Sequence, residues 1–469
     1  MVIFRCKLTE WGDIMNKIFK YKERGSSLSQ EIIGGIIVFL AMCYILPVNA
    51  NILKAGGADY NAVFFATAIC SGICCILMGL FANIPVALSA GMGVNAFLAY
   101  TVCDTMGYTF PQSLMIVLIS GILFLIITLT PIREEIIKSI PKSLKYAVSA
   151  GLGGFICFVG FKNGGIIKAD GGTFVTLGDL SNPTVLLTLF GALLVLALMQ
   201  VKGKVGKLAI VIAMLTTAIV GVVLGLCGVD NMPTFVNESV TEGFAAFGAE
   251  FGSCFSKEAL EVFSRPETYA IIFSLIFVNL FDTTATLIAV GDKVGLLDEN
   301  GDFVAGKKAM LADAVGAVVC APLGTSTVTS FAESTVGAES GARTGLAACT
   351  TGVLFFLSIL IYPVFSIFAG VEIDGVNFTP VTSLALISVG CLMFGNLKEI
   401  DWKDDVVVIT TFLIVILMIL TYSISDGLGI GLITFCVMML VSKRGKEVPF
   451  AIYCVAAFFI LNYILNIMI

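Results

Sequence analysis

Apolar stretches of about 20 residues, enough to cross a bilayer, recur along nearly the whole chain, and nothing else constrains its fold as strongly. They lie near 32–53, 62–82, 84–102, 113–130, 144–161, 184–199 and 208–227. A second set lies near 271–290, 309–321, 323–340, 345–369, 380–397, 405–422, 427–441 and 449–468. Soluble domains carry about 25% charged residues, whereas this chain of 469 residues is 13% charged and 58% hydrophobic. No polar segment is long enough to form a second domain. The pattern predicts an all-α polytopic membrane protein. The last three stretches are ambiguous, because Ser423, Ser425, Asp426 and Gly427 mark either a short loop or a break in one long element.

Loop charges orient the stretches. Arg5, Lys7, Lys17, Lys20, Lys22 and Arg24 precede a first apolar run that begins near Ile32, too late and too long for a cleaved signal peptide. Residues 1–30 read as a cytoplasmic tail. Arg133, Lys138, Lys142 and Lys145 follow the fourth stretch, Lys202, Lys204 and Lys207 the sixth, and Lys293, Lys307 and Lys308 the eighth. Lysine and arginine accumulate in cytoplasmic loops, so these loops and the N-terminus lie inside a cell membrane. The acidic segment 229–270 belongs outside.

Two stretches are anomalous. The third begins Ile84-Pro85 and turns small and polar through Gly91-Met92-Gly93-Val94-Asn95. The tenth begins Pro322-Leu323 and runs Gly324-Thr325-Ser326-Thr327-Val328-Thr329-Ser330-Phe331-Ala332-Glu333. Glycine, serine and threonine in such runs favour extended or broken backbone, which lipid tolerates only where protein buries it or it lines a cavity. Pro85 and Pro322 stand 237 residues apart (322 − 85), and the same offset carries the first stretch onto the eighth. Seven spans per copy is an odd number, so the two copies are inverted. Matched interruptions in inverted halves point to a transporter's binding site.

The acidic residues follow the same map. Asp282 sits in 271–290, a run otherwise free of charge, and a charge at that depth costs at least about 2.5 kcal/mol. The competing reading is a carboxyl held by Thr283, Thr284 or Thr286. Glu333 ends the tenth stretch's polar run; its competing reading is a surface carboxylate accompanied by Glu339 and Arg343. The 237 offset carries Asn95 to position 332, beside Glu333, although Asn95 also suits a helix cap. Asp313, close after Lys307 and Lys308, reads as interfacial. Two buried carboxylates without a fixed countercharge suit proton coupling, because one can hold a proton and release it when access changes sides. With no histidine in the chain, coupling falls to carboxylates and histidine-based metal sites are excluded. The fourteen cysteines form no paired CxxC sets, and Cys70, Cys74 and Cys75 read as reduced core residues. No Walker A pattern, dinucleotide fingerprint or basic nucleic-acid patch is present.

Several motifs resemble the AzgA-like guanine/hypoxanthine permeases of the nucleobase/ascorbate transporter superfamily. They are Phe281-Asp282-Thr283-Thr284-Ala285-Thr286, Gly295-Leu296-Leu297-Asp298, Leu311-Ala312-Asp313-Ala314, Phe331-Ala332-Glu333-Ser334, Gly341-Ala342-Arg343-Thr344-Gly345, Gly91-Met92-Gly93-Val94-Asn95 and Ala41-Met42-Cys43-Tyr44-Ile45-Leu46. The resemblance implies a uracil-permease architecture of about 14 spans in two inverted seven-span repeats, with short mid-membrane strands in spans 3 and 10. It implies a core from 31–135 and 271–370, and a gate from 136–228 and 371–469. It implies acids of spans 8 and 10 at the base, matching Asp282 and Glu333, and a polar residue of span 3, matching Asn95. The chain departs from many relatives in having Asn279 where they carry Asp, Val48-Asn49-Ala50 where they read Val-Asn-Pro, and Val328 and Ser330 within the threonine run.

The expectation is a permease, not an enzyme, that couples protons to uptake of guanine and hypoxanthine, with adenine as the nearest alternative. A carboxylate accepts from the N–H edge of a purine in planar, bidentate fashion, and Phe331 and Phe281 are placed to stack on the ring. Thr329 and Gly93 join them as substrate contacts. The proton gradient supplies energy, and no cofactor or metal is expected. The partners expected are the purine base, protons and lipid, with no nucleic acid; a homodimer is compatible with the sequence, which does not fix oligomeric state. Two rivals carry weight: an anion transporter or channel on a similar fold, which two acids and no base at that depth oppose, and an intramembrane aspartyl protease, which needs two aspartates.

Overall fold

The computed structural model describes residues 13–130, 141–234, 239–295, 306–368, 370–373 and 376–468; some side chains within helices, Phe281 and Asp282 among them, lie outside the described residues. The chain is a bundle of apolar helices. Seven are long and apolar enough to cross a membrane: Leu28–Ala55, Tyr60–Ala82, Phe110–Leu129, Ser143–Asn163, Ala209–Leu226, Gly345–Phe365 and Ile424–Val441. Shorter apolar helices occupy Pro183–Met199, Glu267–Leu280, Asp405–Leu420 and Ile452–Leu461. The final three stretches are separate helices: the first ends at Leu420, and Ser423 caps the second by accepting from Asp426 N–H.

The first span is broken into α1 (Leu28–Met42) and α2 (Ile45–Ala55). Pro47 has no N–H to return to the carbonyl of Cys43 one turn earlier, which removes a rung of the helix there. The break sets Tyr44 between the two pieces. The second span begins with α3 (Tyr60–Leu77), whose N-cap Asp59 accepts from Ala62 N–H at 2.8 Å.

The third and tenth apolar stretches are interrupted as their composition predicts. Leu88–Ala90 forms β1 and runs into α4 (Met92–Ala96); Val328–Ser330 forms β4, followed by a short helix. The strands pair antiparallel, Leu88 with Ser330, Ser89 with Thr329 and Ala90 with Val328. Two more backbone bonds extend the ladder, Gly91 N–H to Thr327 O and Phe331 N–H to Ala87 O, both 3.0 Å. All six strand residues are buried by the surrounding helices, which is the setting in which a membrane tolerates extended backbone. Ser89 and Thr329 sit opposite one another 240 residues apart (329 − 89), so the proline alignment is three residues out of register. In the strand register Glu333 corresponds to Gly93, not to the neighbourhood of Asn95.

Between them these strands are flanked by α5 (Phe110–Leu129), α6 (Lys142–Asn163), α7 (Pro183–Met199), α8 (Ala209–Leu226), α9 (Glu267–Val294), α10 (Gly306–Val319), α11 (Ser334–Glu339), α12 (Gly345–Ser358), α13 (Ser383–Phe394), α14 (Asp405–Leu420), α15 (Ile424–Val441) and α16 (Phe450–Met468). Helices α6 and α13 cross at glycines: a Cβ on Gly390 would lie 2.5 Å from Gly153 O, and one on Gly153 2.7 Å from Gly390 O. Small residues permit such close approach where helices meet in a membrane.

The all-α expectation needs one correction. Two hairpins, β2–β3 (Ile167–Asp170 with Phe174–Leu177) and β5–β6 (Val371–Ile373 with Val376–Phe378), stand outside the helices. Both are short, and the first is tied by Asp170, whose carboxylate accepts from Gly172 and Thr173 N–H.

Candidate functional site

Strand β4 delivers Glu333. Three residues beyond the strand, Glu333 stands at the head of α11, half-buried. Tyr44, at the break in the first span and 2% exposed, donates its hydroxyl to Glu333 Oε1 at 2.5 Å. Among the described residues Glu333 makes no ion pair. Arg343 is not its countercharge: the guanidinium donates to the carbonyls of Ala338 and Ala342. The backbone N–H groups of Arg343 and Thr344 bond in turn to Glu31, a fully buried carboxylate on α1. A carboxylate held by a phenol and left without a cation retains capacity to accept from a ligand's N–H groups.

The outer edge of β4 rests on α9 and α10. Asp313 is completely buried and accepts from Thr283 at 2.7 Å and Ser330 at 3.2 Å. This overturns its reading as an interfacial residue: proximity to Lys307 and Lys308 in sequence misled, because α10 carries it two turns inward onto the strand. Asn279, 2% exposed, donates to Thr327 at 3.0 Å while its Oδ1 has no hydrogen-bond partner among the described residues. Thr329 is 3% exposed and lies 3.3 Å, oxygen to oxygen, from Thr283. Asn279 and Thr283 are four residues apart on α9, hence on one face, and that face lies against β4.

The first half is wired differently. Ser71 and Ser89 share a hydrogen bond at 2.7 Å, and Cys75 Sγ meets both N–H and O of Leu88 at 3.2 Å. Asn95 is completely buried; its amide donates to Asn49 Oδ1 at 2.5 Å and its carbonyl accepts from Ser326. Asn49 passes the network on to Thr67 at 2.7 Å and Thr325 at 2.9 Å. Asn95 is therefore no helix cap, since Gly91 holds that position. Gly93 is set by packing: a Cβ there would lie 2.5 Å from Leu152 of α6.

Of the remaining expected site residues, Phe331 is 6% exposed at the end of β4. Phe281 and Asp282 fall within α9, which packs against β4 and α11, but their side chains lie outside the described residues. The structure thus brings Glu333, Thr329 and Phe331 to one strand end and Asn95 and Gly93 to the other. Tyr44, Asp313 and Asn279 are additions. In the sequence Tyr44 stood out only within the motif Ala41-Met42-Cys43-Tyr44-Ile45-Leu46, and Asp313 through the motif Leu311-Ala312-Asp313-Ala314 and its charge within an apolar stretch.

Comparison with known proteins gives this geometry a context. Residues 29–444 match the Xan_ur_permease family, described as a permease family. Guanine/hypoxanthine permease PbuG of Bacillus subtilis is 41% identical over 96% of this chain and 99% of its own length. Adenine permease AdeQ of Escherichia coli is 35% identical over 96% of each chain. Among solved structures, the transmembrane domain of the cyanobacterial bicarbonate transporter BicA superposes with a TM-score of 0.59 at 13% identity, over 86% of this chain and 97% of that domain. SLC26A9 gives 0.54 at 12%, over 94% and 69%. At such identity the likeness is one of fold.

Proposed function

This chain belongs to the Xan_ur_permease family, an integral membrane permease and not an enzyme, and from that premise we propose that it is a proton-coupled importer of guanine and hypoxanthine, with adenine as the alternative substrate. The observation that carries the reading is Glu333: a half-buried carboxylate at the end of a strand, held by Tyr44 and without a cation among the described residues. Burial makes an uncompensated charge costly, so a ligand that donates two N–H groups, or a proton, is the natural complement. In this reading Glu333 grips the purine edge and Asp282 binds base or proton. Phe331 and Phe281 flank the ring, and Thr329, Asn95 and Gly93 shape the floor. The proton gradient drives uptake, without cofactor or metal.

The same reading takes the helices as about 14 spans in two inverted repeats. A core (31–135 and 271–370) moves against a gate (136–228 and 371–469) in the cell membrane, with residues 1–30 cytoplasmic and 229–270 outside. Relatives matched along nearly their whole length carry the names of purine permeases, which supports a base over an anion as cargo. The test is uptake of labelled guanine into proteoliposomes, competed by each of the five common bases, with and without a pH gradient. Competition by guanine and hypoxanthine alone, abolished when the gradient is collapsed, is the expected result; uptake indifferent to an uncoupler would sink proton coupling.

A further inference from the structure

Away from the acids, a second polar cluster joins α4's continuation, α6 and the α14–α15 turn. Beyond α4 the third span continues as a π-helix, Phe97–Thr105. From it Tyr100 accepts a hydrogen bond from Asn163 at 2.5 Å, and Thr101 donates to the carbonyl of Tyr422. Lys162 Nζ lies 5.0 Å from the Tyr100 ring centroid and 5.1 Å from that of Tyr422, held between two aromatic faces. Phe155 and Phe158 close on Tyr422 edgewise. Tyr422 has φ +57°, a left-handed conformation that non-glycine residues adopt at a cost, and its buried hydroxyl has no hydrogen-bond partner among the described residues. Three residues on, Ser425 receives a hydrogen bond from Ser274 of α9 at 3.0 Å.

We propose that Lys162, Tyr100, Thr101 and the strained 421–425 turn form a latch that holds core to gate and must open in each transport cycle. The inference rests on the alternating-access reading above. Four contacts cross the proposed boundary, Asn163–Tyr100, Lys162–Tyr100, Thr101–Tyr422 and Ser274–Ser425: Tyr100, Thr101 and Ser274 belong to the core, Lys162, Asn163, Tyr422 and Ser425 to the gate. The turn is grasped from both repeats, by the third span through Thr101 and by the eighth through Ser274. These are the two spans that carry Asn95 and Asp282. A lysine between tyrosine rings attracts through the ring quadrupoles, without the directional commitment of an ion pair, so the contact can release as a rigid body slides. A buried hydroxyl without a partner and a left-handed tyrosine both favour leaving the closed state. The latch is thus bistable, not merely adhesive.

The test measures the equilibrium directly. Spin labels on Leu357→Cys in α12 and Leu193→Cys in α7, both exposed positions, report the core–gate distance in proteoliposomes once the exposed Cys227, Cys391 and Cys454 are replaced by serine. Lys162→Met is expected to shift the ratio of the two distances about threefold, and the near-isosteric Thr101→Val about fivefold in the same direction. Lys162→Arg, which also stacks on aromatic faces, is expected to leave the ratio at the wild-type value. A ratio unmoved by both Lys162→Met and Thr101→Val overturns the latch. The readout needs no transport. Distances that ignore guanine but respond to Lys162→Met would remove the purine reading and keep the latch, and the reverse pattern would remove the latch alone.

Discussion

The two interrupted segments share a backbone and differ in nearly everything attached to it. Ser89 and Thr329 face each other in one register. Around Ser89 the partners are Ser71, Cys75 and a carboxamide chain from Asn95 through Asn49 to Thr67, all neutral. Around Thr329 they are Thr283, Asp313, Ser330, Glu333 and Tyr44, with two carboxylates among them. A closed neutral network rigidifies its surroundings; one containing carboxylates can exchange protons or ligands. The two strands pair symmetrically about Ser89 and Thr329, while the side chains around them give one a neutral setting and the other an acidic one.

The sharpest test of that division is Glu333→Gln. It keeps shape and removes the charge, and we expect guanine binding, measured calorimetrically in detergent, to weaken on the order of 100-fold, from the roughly 1.5–3 kcal/mol of a hydrogen bond to a charged group. Unchanged affinity would remove Glu333 from the site and erase the asymmetry. Next comes the pair Asp313→Ala and Cys75→Ala, which strip the backing from β4 and β1 respectively. Asp313→Ala leaves two buried hydroxyls without their acceptor, and should cost about 2–3 kcal/mol in denaturation; Cys75→Ala should cost about 1 kcal/mol. Equal losses would show that the carboxylate backs its strand no more strongly than a thiol does. Tyr44→Phe removes one donor from Glu333 and should weaken guanine binding about fivefold, near 1 kcal/mol, without lowering the melting temperature.

The smallest effect belongs to a pair outside both segments. Arg444 hydrogen-bonds Asp404 at 2.6 Å and holds its carboxyl below the usual carboxylate range. A carboxyl depressed in the folded state adds stability above its unfolded pKa and loses it as pH falls through the folded value. Asp404→Asn should therefore flatten the acid limb of the stability profile below about pH 4. For a largely solvated pair the change is at most about 1 kcal/mol, and binding should not change. A binding defect in Asp404→Asn would show that the chemistry is not confined to the second segment.

How much of this was legible in the chain follows from what kind of signal each feature leaves. Interrupted spans announce themselves through composition: proline followed by glycine, serine and threonine in an apolar chain does not sustain a regular helix, and β1 and β4 fell where those runs lie. Register did not. Prolines mark where a break begins, but strand pairing is set by which backbone groups meet, and the two differ by three residues. Glu333 stood out because charge in an apolar run is rare. Asp313 is equally charged and more deeply buried yet was misplaced, since two nearby lysines supplied a surface reading that only helix direction could refute. Asn95 illustrates the limit from the other side: its polarity was visible, whereas its saturation by Asn49 and Ser326 depends on segments 46 and 231 residues away.

The pairing of Ser89 with Thr329 also dictates an order of biogenesis. At about 5–20 residues per second of synthesis, β1 waits roughly 12–48 s after leaving the ribosome before its mate exists. Throughout that interval the ladder groups of Leu88 to Ala90 lack their final acceptors in a medium without water. The half-made chain must therefore keep this segment near the translocon, among lipid headgroups or in a provisional helix, until β4 arrives. Assembly of the strand pair becomes a closing step of insertion. Defects in β4 should then surface first as loss of the whole chain to quality control, ahead of any loss of transport.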